Sequence, residues 1–112
     1  MEQGRVVRVA FQQVDGAIKF RPAVVLQQLP FGPDLLVCVI SSKLHREMPG
    51  VDVLITGTHP DFGPMGLPFA SLIRCAYLTT VPLSAVQDPI GAVGPATLQL
   101  ITDQLTAFLN GR

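Results

Sequence analysis

The sequence predicts a mainly β fold with small helices, in which a small, strongly curved antiparallel barrel is closed off by a C-terminal amphipathic helix. Short runs rich in β-branched and aromatic residues recur from residue 6 to residue 81, and breaks containing Pro or Gly separate them. One later segment, residues 95–109, carries apolar side chains at helical spacing instead. With 112 residues the chain can bury one core and not two, so we expect a single domain over residues 1–112.

Five strands account for the β-type runs. We place them at residues 6–11, 20–28, 34–42, 51–56 and 69–81. A polar turn containing Asp15 and Gly16 separates the first two strands. The segment 29–33, LPFGP, stops both flanking strands and favours a hairpin-like reversal. The fifth strand is long, and we expect it to bend near Arg74.

The remaining segments are predicted to form turns, one loop and one helix. Residues 43–50 and 83–86 are expected to form short helical turns or loops. Residues 57–68 hold three prolines and three glycines, which is typical of a shaped surface loop. The helix begins at Pro95, which suits a first turn, and Gly111 provides its stop. Its apolar residues are Leu98, Ile101, Leu105 and Phe108.

The charge balance argues against a strongly basic protein. Eight Lys and Arg are matched by eight Asp and Glu, and 14% of the residues are charged, against about 25% in an ordinary globular chain. Binding of long nucleic acid by bulk charge is therefore not expected. Residues 1–50 nevertheless carry six of the bases against four acids. The sequence is compatible with a shallow groove that binds a few phosphates of a single strand with weak affinity.

Hydrophobic residues make up 48% of the chain, yet the purest apolar run, Leu35–Ile40, is far shorter than the about 18 residues needed to span a bilayer. The N-terminus lacks the apolar region of a secretory signal, and Cys38 and Cys75 lie inside apolar segments. We therefore expect a soluble protein of the reducing cytoplasm. A small chain with so few charged residues exposes apolar surface that a monomer cannot fully bury. We therefore also expect a homo-oligomer.

Neither a metal site nor a cofactor site is predicted. The candidate ligands His45, His59, Cys38 and Cys75 are scattered at spacings that do not bring them together. The chain has no Walker loop and no GxGxxG fingerprint, so no nucleotide cofactor is expected. Cys38 lies within LLVCVI, which favours a small core residue over a nucleophile.

Isolated polar residues remain at or near the ends of the predicted strands. They are Arg21 before PAVVL, Ser41, Ser42 and Lys43 after VCVI, and Ser71 and Arg74 inside the fifth strand. An arginine beside apolar strands usually meets a carboxylate or a bound anion. A structural salt bridge from Arg21 to Asp15 or Asp52 and a functional role are both open, and the same two alternatives apply to Arg74. The serines could equally serve to end a strand.

Several of these segments follow one another in a specific order. They are GRVVRVAF (4–11), the Asp15-Gly16 turn, Lys19, RPAVVL (21–26), VISSK (39–43), GLP (66–68), SLIR (71–74) and the terminal helix. Together they resemble the PemK/MazF family of toxin endoribonucleases over almost the whole chain. The resemblance implies an SH3-like barrel of five to seven strands, a symmetric homodimer, and an antitoxin partner that occupies the RNA-binding surface. DNA would be met only indirectly, through the antitoxin complex.

The resemblance also implies an activity and its residues. The family cleaves single-stranded RNA without metal, by attack of the ribose 2′-OH on the adjacent phosphorus to give a 2′,3′-cyclic phosphate and a 5′-OH end. Arg21 matches the catalytic arginine, and Ser41 stands where the family typically has a threonine that bonds the scissile phosphate. The substrate-binding candidates are Ser71 and Arg74, from the Ser-x-x-Arg strand, and more weakly Ser42, Lys43 and His59.

Two other functions share this barrel. One is a catalytically inactive dimeric module that grips a partner peptide. The other is a gyrase-inhibiting toxin, which we rank last because that group resembles a pattern with a C-terminal tryptophan and this chain has no Trp.

Overall fold

A single antiparallel sheet and one α-helix form the computed structural model, which describes residues 1–111. The strands are β1 (Arg5–Gln12), β2 (Ile18–Gln28), β3 (Asp34–Ser41), β4 (Val53–Ile55), β5 (Ser71–Pro82) and β6 (Gly91–Ala92). Helix α1 spans Pro95–Leu109, and short 3-10 turns lie at Leu44–Arg46 and Leu83–Ala85. In the order β4-β5-β3-β2-β1-β6, the sheet curls into a half-barrel with β4 and β6 at its edges.

The predicted mainly β architecture with a C-terminal helix is confirmed, and the differences from the prediction are local. The fourth strand starts two residues late because the backbone N–H groups of Val51 and Asp52 both donate to Met48 O and close a turn. Strand β6 was not predicted, since two residues, Gly91 and Ala92, are too few to show a hydrophobic periodicity. It forms because Ile90 N donates to Val6 O and Val93 N donates to Gly4 O.

Both faces of the sheet are buried at its centre. The neighbouring residues Val6 and Val7 of β1 are each fully buried, but they belong to two different core clusters. Val24 of β2 packs with Val6, whereas Ala23 and Val25 pack with Val7. This follows because successive side chains of a strand point to opposite faces of the sheet. Strands β1 and β2 are therefore packed on both faces, which holds the residues at their ends in position.

Strand β5 carries a bulge where the bend was predicted. Cys38 of β3 pairs with Leu78, while the next residue, Val39, pairs with Arg74. Three residues of β5, Cys75–Tyr77, are therefore accommodated between consecutive positions of β3. Such an insertion bends the strand and increases its local twist.

Helix α1 closes one side of the half-barrel through its first turns. Ile101 is fully buried and Thr97 nearly so, whereas Phe108 leaves 46% of its surface exposed. Gly111, with φ +75°, adopts the left-handed conformation that ends the helix, as predicted. Within residues 1–111, no helix is long and apolar enough to cross a membrane.

The loop between β4 and β5 is held against β6. Met65 is buried in the core, and Ala92 N donates to Pro64 O at 3.0 Å. The approach is so close that a Cβ at Gly91 would overlap the backbone of Pro64 and Met65. This contact fixes the end of the loop, residues 67–69, relative to the sheet.

Asp61 in the same loop caps the helix from a distance of 33 residues in the sequence. Its Oδ2 accepts a hydrogen bond from Gly94 N at 3.0 Å, at the N-terminus of α1. We expect Asp61→Ala to lower the free energy of unfolding by about 1 kcal/mol, because it removes the cap and a negative charge from the positive helix end. Urea unfolding would measure the loss. Asp88→Ala, which removes an exposed carboxylate with no described contact, is the control and should change stability little.

Candidate active site

A groove of about 360 Å³ opens at one end of the sheet. The first residues of β2, the last residues of β3, the 3-10 turn that follows β3, and residues 67–69 line it. A second cavity, of about 440 Å³, lies between α1 and the ends of β2 and β3, but no charged side chain of residues 1–111 lines it. The first groove, whose lining includes charged side chains, is therefore the candidate active site.

Positive charge is concentrated in this groove. Five of the eight Lys and Arg in the sequence line it, and none of the Asp and Glu of residues 1–111 does. The five are Arg8, Lys19, Arg21, Lys43 and Arg46. A concave surface of one sign focuses its field and raises the local concentration of oppositely charged ligands. A protein with no net charge thus has a strongly anion-attracting site.

Strand register brings Arg21 and Ser41 together. Ala23 of β2 pairs with Val39 of β3, and continuing this antiparallel register by two residues places Arg21 opposite Ser41. Residues two apart on a strand share a face, so both side chains point the same way, and both line the groove. Arg21 is exposed and forms no ion pair with any residue from 1 to 111.

The carboxylates that were open as structural partners of Arg21 are otherwise engaged. Asp15 accepts a hydrogen bond from Ala17 N at 2.9 Å, and Asp52 pairs with Arg74. The salt-bridge alternative for Arg21 is therefore not formed, and its guanidinium is available to a ligand in the groove.

The Ser41 hydroxyl is oriented by the chain that follows it. Lys43 N donates to Ser41 Oγ at 3.1 Å, in the manner of a Ser turn. Because the oxygen accepts this bond, the hydroxyl proton is left to donate elsewhere. Ser42 and Lys43 are exposed in the same turn and line the groove beside Ser41.

The Ser71 hydroxyl has a different partner. Ser71 is 5% exposed, and its Oγ donates to Phe69 O at 2.9 Å. A hydroxyl has one proton to give, so this bond commits it to holding the backbone of Phe69. Ser71 lines the groove and positions the neighbouring loop.

Arg74 and His59 do not line the groove. Arg74 Nε lies 3.0 Å from Asp52 Oδ2 with both side chains nearly buried; the N–H is not aligned for a hydrogen bond, so the contact is an ion pair. The guanidinium also stacks on Tyr77, 4.2 Å from the ring centroid. His59 Nδ1 accepts from Asp61 N at 3.0 Å, within the loop. The structure gives both side chains internal partners.

The thiols are unsuited to nucleophilic chemistry. Burial raises the pKa of the Cys38 thiol to about 12 and that of Cys75 to about 11. Both are free cysteines in the core, so neither offers a thiolate near neutral pH.

Sequence reasoning missed part of the groove. Arg8, Arg46 and Phe20 were not predicted as site residues, and neither was the apolar segment 67–69. Arg8 could have been found as the one charge in the first predicted strand. Phe20 precedes Arg21 on β2. Arg46 and residues 67–69 come from the turn and loop at the same end of the sheet, and their position depends on tertiary packing that no spacing reveals.

The fold and the groove together define a small half-barrel protein with a groove lined by Lys and Arg at its strand ends. The sequence model of the PemK-like, MazF-like toxins of type II toxin-antitoxin systems matches residues 2–109, and the chain belongs to this family. No match was found among curated proteins.

Solved structures of MazF toxins share the fold. The MazE-MazF complex (Form-II) from Deinococcus radiodurans matches with a TM-score of 0.76 at 15% identity, covering 100% of this chain and 97% of that one. Mycobacterium tuberculosis toxin MazF-mt6 matches with a TM-score of 0.70 at 18% identity, covering 95% and 97%. An endoribonuclease in complex with its cognate antitoxin, from a Mycobacterial species, matches with a TM-score of 0.71 at 16% identity, covering 98% and 95%.

Proposed function

We propose that the basic groove is the active site of a metal-independent endoribonuclease, the toxin of a type II toxin-antitoxin pair, which cleaves single-stranded RNA at short sequences. The observation that carries this proposal is that the side chains of Arg21 and Ser41 line the same groove. The Arg21 guanidinium forms no ion pair within the part of the chain that the structure describes, and the Ser41 hydroxyl has its proton free to donate. Both groups share the groove with four further cations. Membership of the toxin family supports the biological role.

The reaction is the one that the family resemblance implies, and these two groups can assist it. The ribose 2′-oxygen attacks the adjacent phosphorus while its proton passes to solvent water, and the bond from phosphorus to the 5′-oxygen breaks. The products are a 2′,3′-cyclic phosphate and a 5′-hydroxyl, whose oxygen takes its proton from water. The Arg21 guanidinium, with its fork of donors, neutralises charge that builds on the phosphoryl oxygens. The Ser41 hydroxyl donates a hydrogen bond to one of these phosphoryl oxygens.

Metal independence belongs to the proposal, and the charge of the groove supports it. Every charged side chain that lines the groove is a cation. These side chains repel a divalent metal and already supply the positive charge that a metal would bring to the phosphate.

The proposed partners are a second copy of the chain and a cognate antitoxin. Exposed apolar side chains such as Leu109, 69% exposed, support self-association. The structural neighbours include a MazE-MazF complex and an endoribonuclease with its cognate antitoxin. An antitoxin would silence the enzyme by filling the basic groove, and DNA would be bound only through that complex. The proposed location is the cytoplasm, where single-stranded RNA is available as substrate.

Cleavage of mixed-sequence single-stranded RNA in the presence of EDTA tests the proposal. We expect fragments with 2′,3′-cyclic phosphate and 5′-OH ends, and no cleavage of 2′-fluoro RNA, which lacks the attacking hydroxyl. Intact RNA under these conditions would instead indicate an inactive binding module of the same fold.

Ser41 variants test the role of its hydroxyl. We expect Ser41→Ala to lower the cleavage rate about 10-fold to 100-fold, because one hydrogen bond to a charged phosphoryl oxygen is lost. Ser41→Thr keeps the hydroxyl and should retain most of the rate. Single-turnover cleavage measures both. Equal rates for the alanine and threonine variants would show that the hydroxyl takes no part.

A further inference from the structure

Two large aromatic side chains lie unburied among the cations of the groove. Phe20 is 46% exposed and Phe69 is 69% exposed, and both line the groove with the five Lys and Arg. Single exposed apolar residues scattered over a surface are ordinary. Two phenylalanines in one concave, cationic site are not scattered, and a ligand that covers them would gain the free energy of removing their rings from water.

The backbone holds both phenylalanines in place. Phe20 pairs with Ala10 in the β1–β2 ladder. Phe69 O accepts the Ser71 hydroxyl at 2.9 Å, and the loop before it is anchored by the bond from Ala92 N to Pro64 O. A backbone that is fixed before binding leaves less conformational freedom to be lost when a ligand arrives.

We propose that Phe20 and Phe69 are base-stacking residues, which bind unpaired bases of the RNA whose phosphates are held by the cations of the groove. This rests on the proposed function. Proteins bind single-stranded nucleic acids with cations that contact the phosphates and aromatic rings that stack on the bases. Stacking tolerates any sequence because every base presents a π-face. Stacking also accounts for RNA binding by a protein with no net charge, since stacking does not depend on the total charge.

Binding of single-stranded 2′-fluoro RNA, which cannot be cleaved by 2′-OH attack, measures this role. We expect Phe69→Leu and Phe20→Leu each to weaken binding by about tenfold, the scale of losing one base–aromatic stack. Phe69→Tyr and Phe20→Tyr keep the ring and should bind as the native protein does. Phe31→Leu is the matched control, because Phe31 is exposed but does not line the groove.

The salt dependence of the same affinities separates stacking from charge. The leucine variants should lose affinity with no change in the slope of log K against log salt. Lys43→Ala should lower that slope by about 0.7, the value for one phosphate contact to a single strand.

Three results would overturn the stacking role and leave the proposed function standing. They are leucine variants that bind within twofold of the native protein, tyrosine variants that lose as much affinity as the leucine variants, and a reduced salt slope in the leucine variants. Failure of the native protein to bind or cleave RNA at all would overturn both.

Discussion

Arg21→Ala should reduce the rate of RNA cleavage by at least about 100-fold. Removing a single donor that meets developing negative charge in an active site typically costs a factor of about 100 to 1,000 in rate. Arg21 is exposed and forms no ion pair with the described residues, 1–111, so the substitution should leave the fold intact. Single-turnover cleavage measures the rate, and circular dichroism confirms the fold.

Two variants sharpen this result. Arg21→Lys keeps the charge but loses the fork of donors, so its rate should fall between those of the native protein and the alanine variant. Arg5→Ala removes an exposed arginine that pairs with Glu2 at 3.4 Å and does not line the groove, so it should cleave normally. If Arg21→Ala cleaved within twofold of the native rate, Arg21 would have no catalytic role.

The largest effect on stability should come from breaking the buried pair of Asp52 and Arg74. Arg74→Ala leaves the Asp52 carboxylate fully buried without its counter-charge. Loss of one partner of a buried ion pair costs about 3–5 kcal/mol, a large part of the stability of a small domain. We expect urea unfolding to show a loss of this size. Arg5→Ala, which breaks an exposed pair, should cost less than about 1 kcal/mol.

Arg74 variants also decide between a structural and a phosphate-binding role. Arg74→Lys keeps a charge for Asp52 and is expected to fold, with cleavage close to the native rate if Arg74 acts only in the interior. In the double variant Asp52→Asn/Arg74→Met no buried charge remains, so it should recover part of the stability that Arg74→Ala loses. A lysine variant of native stability but with cleavage reduced more than tenfold would return Arg74 to the substrate site.

The strands and the helix could be predicted because they rest on local physics. Alternating β-branched runs, proline and glycine breaks and one helical repeat determine most element positions to within two residues. Strand β6 could not be predicted, because its two residues are defined by pairing with Arg5 and Val6 at the other end of the sequence. Its existence depends on tertiary structure and not on its own sequence.

The candidate site was predictable in part for a similar reason. Arg21 and Ser41 each stand at the end of a β-type run, and antiparallel pairing brings such ends together. The sequence left a salt bridge of Arg74 open as one of two alternatives without deciding between them, and it did not reveal the partner of Ser71. Asp52 lies on the turn before β4, and the Ser71 hydroxyl bonds to a loop carbonyl. These partners are chosen by three-dimensional packing, which also brings Phe20 and Phe69 to the groove.

The most direct test is the structure of the protein bound to a 2′-fluoro version of the RNA sequence it cleaves. We predict that the scissile phosphate lies within hydrogen-bond distance of both the Arg21 guanidinium and Ser41 Oγ. RNA bound elsewhere, such as in the uncharged cavity beside α1, or a phosphate that contacts neither side chain, would contradict the assignment of the active site.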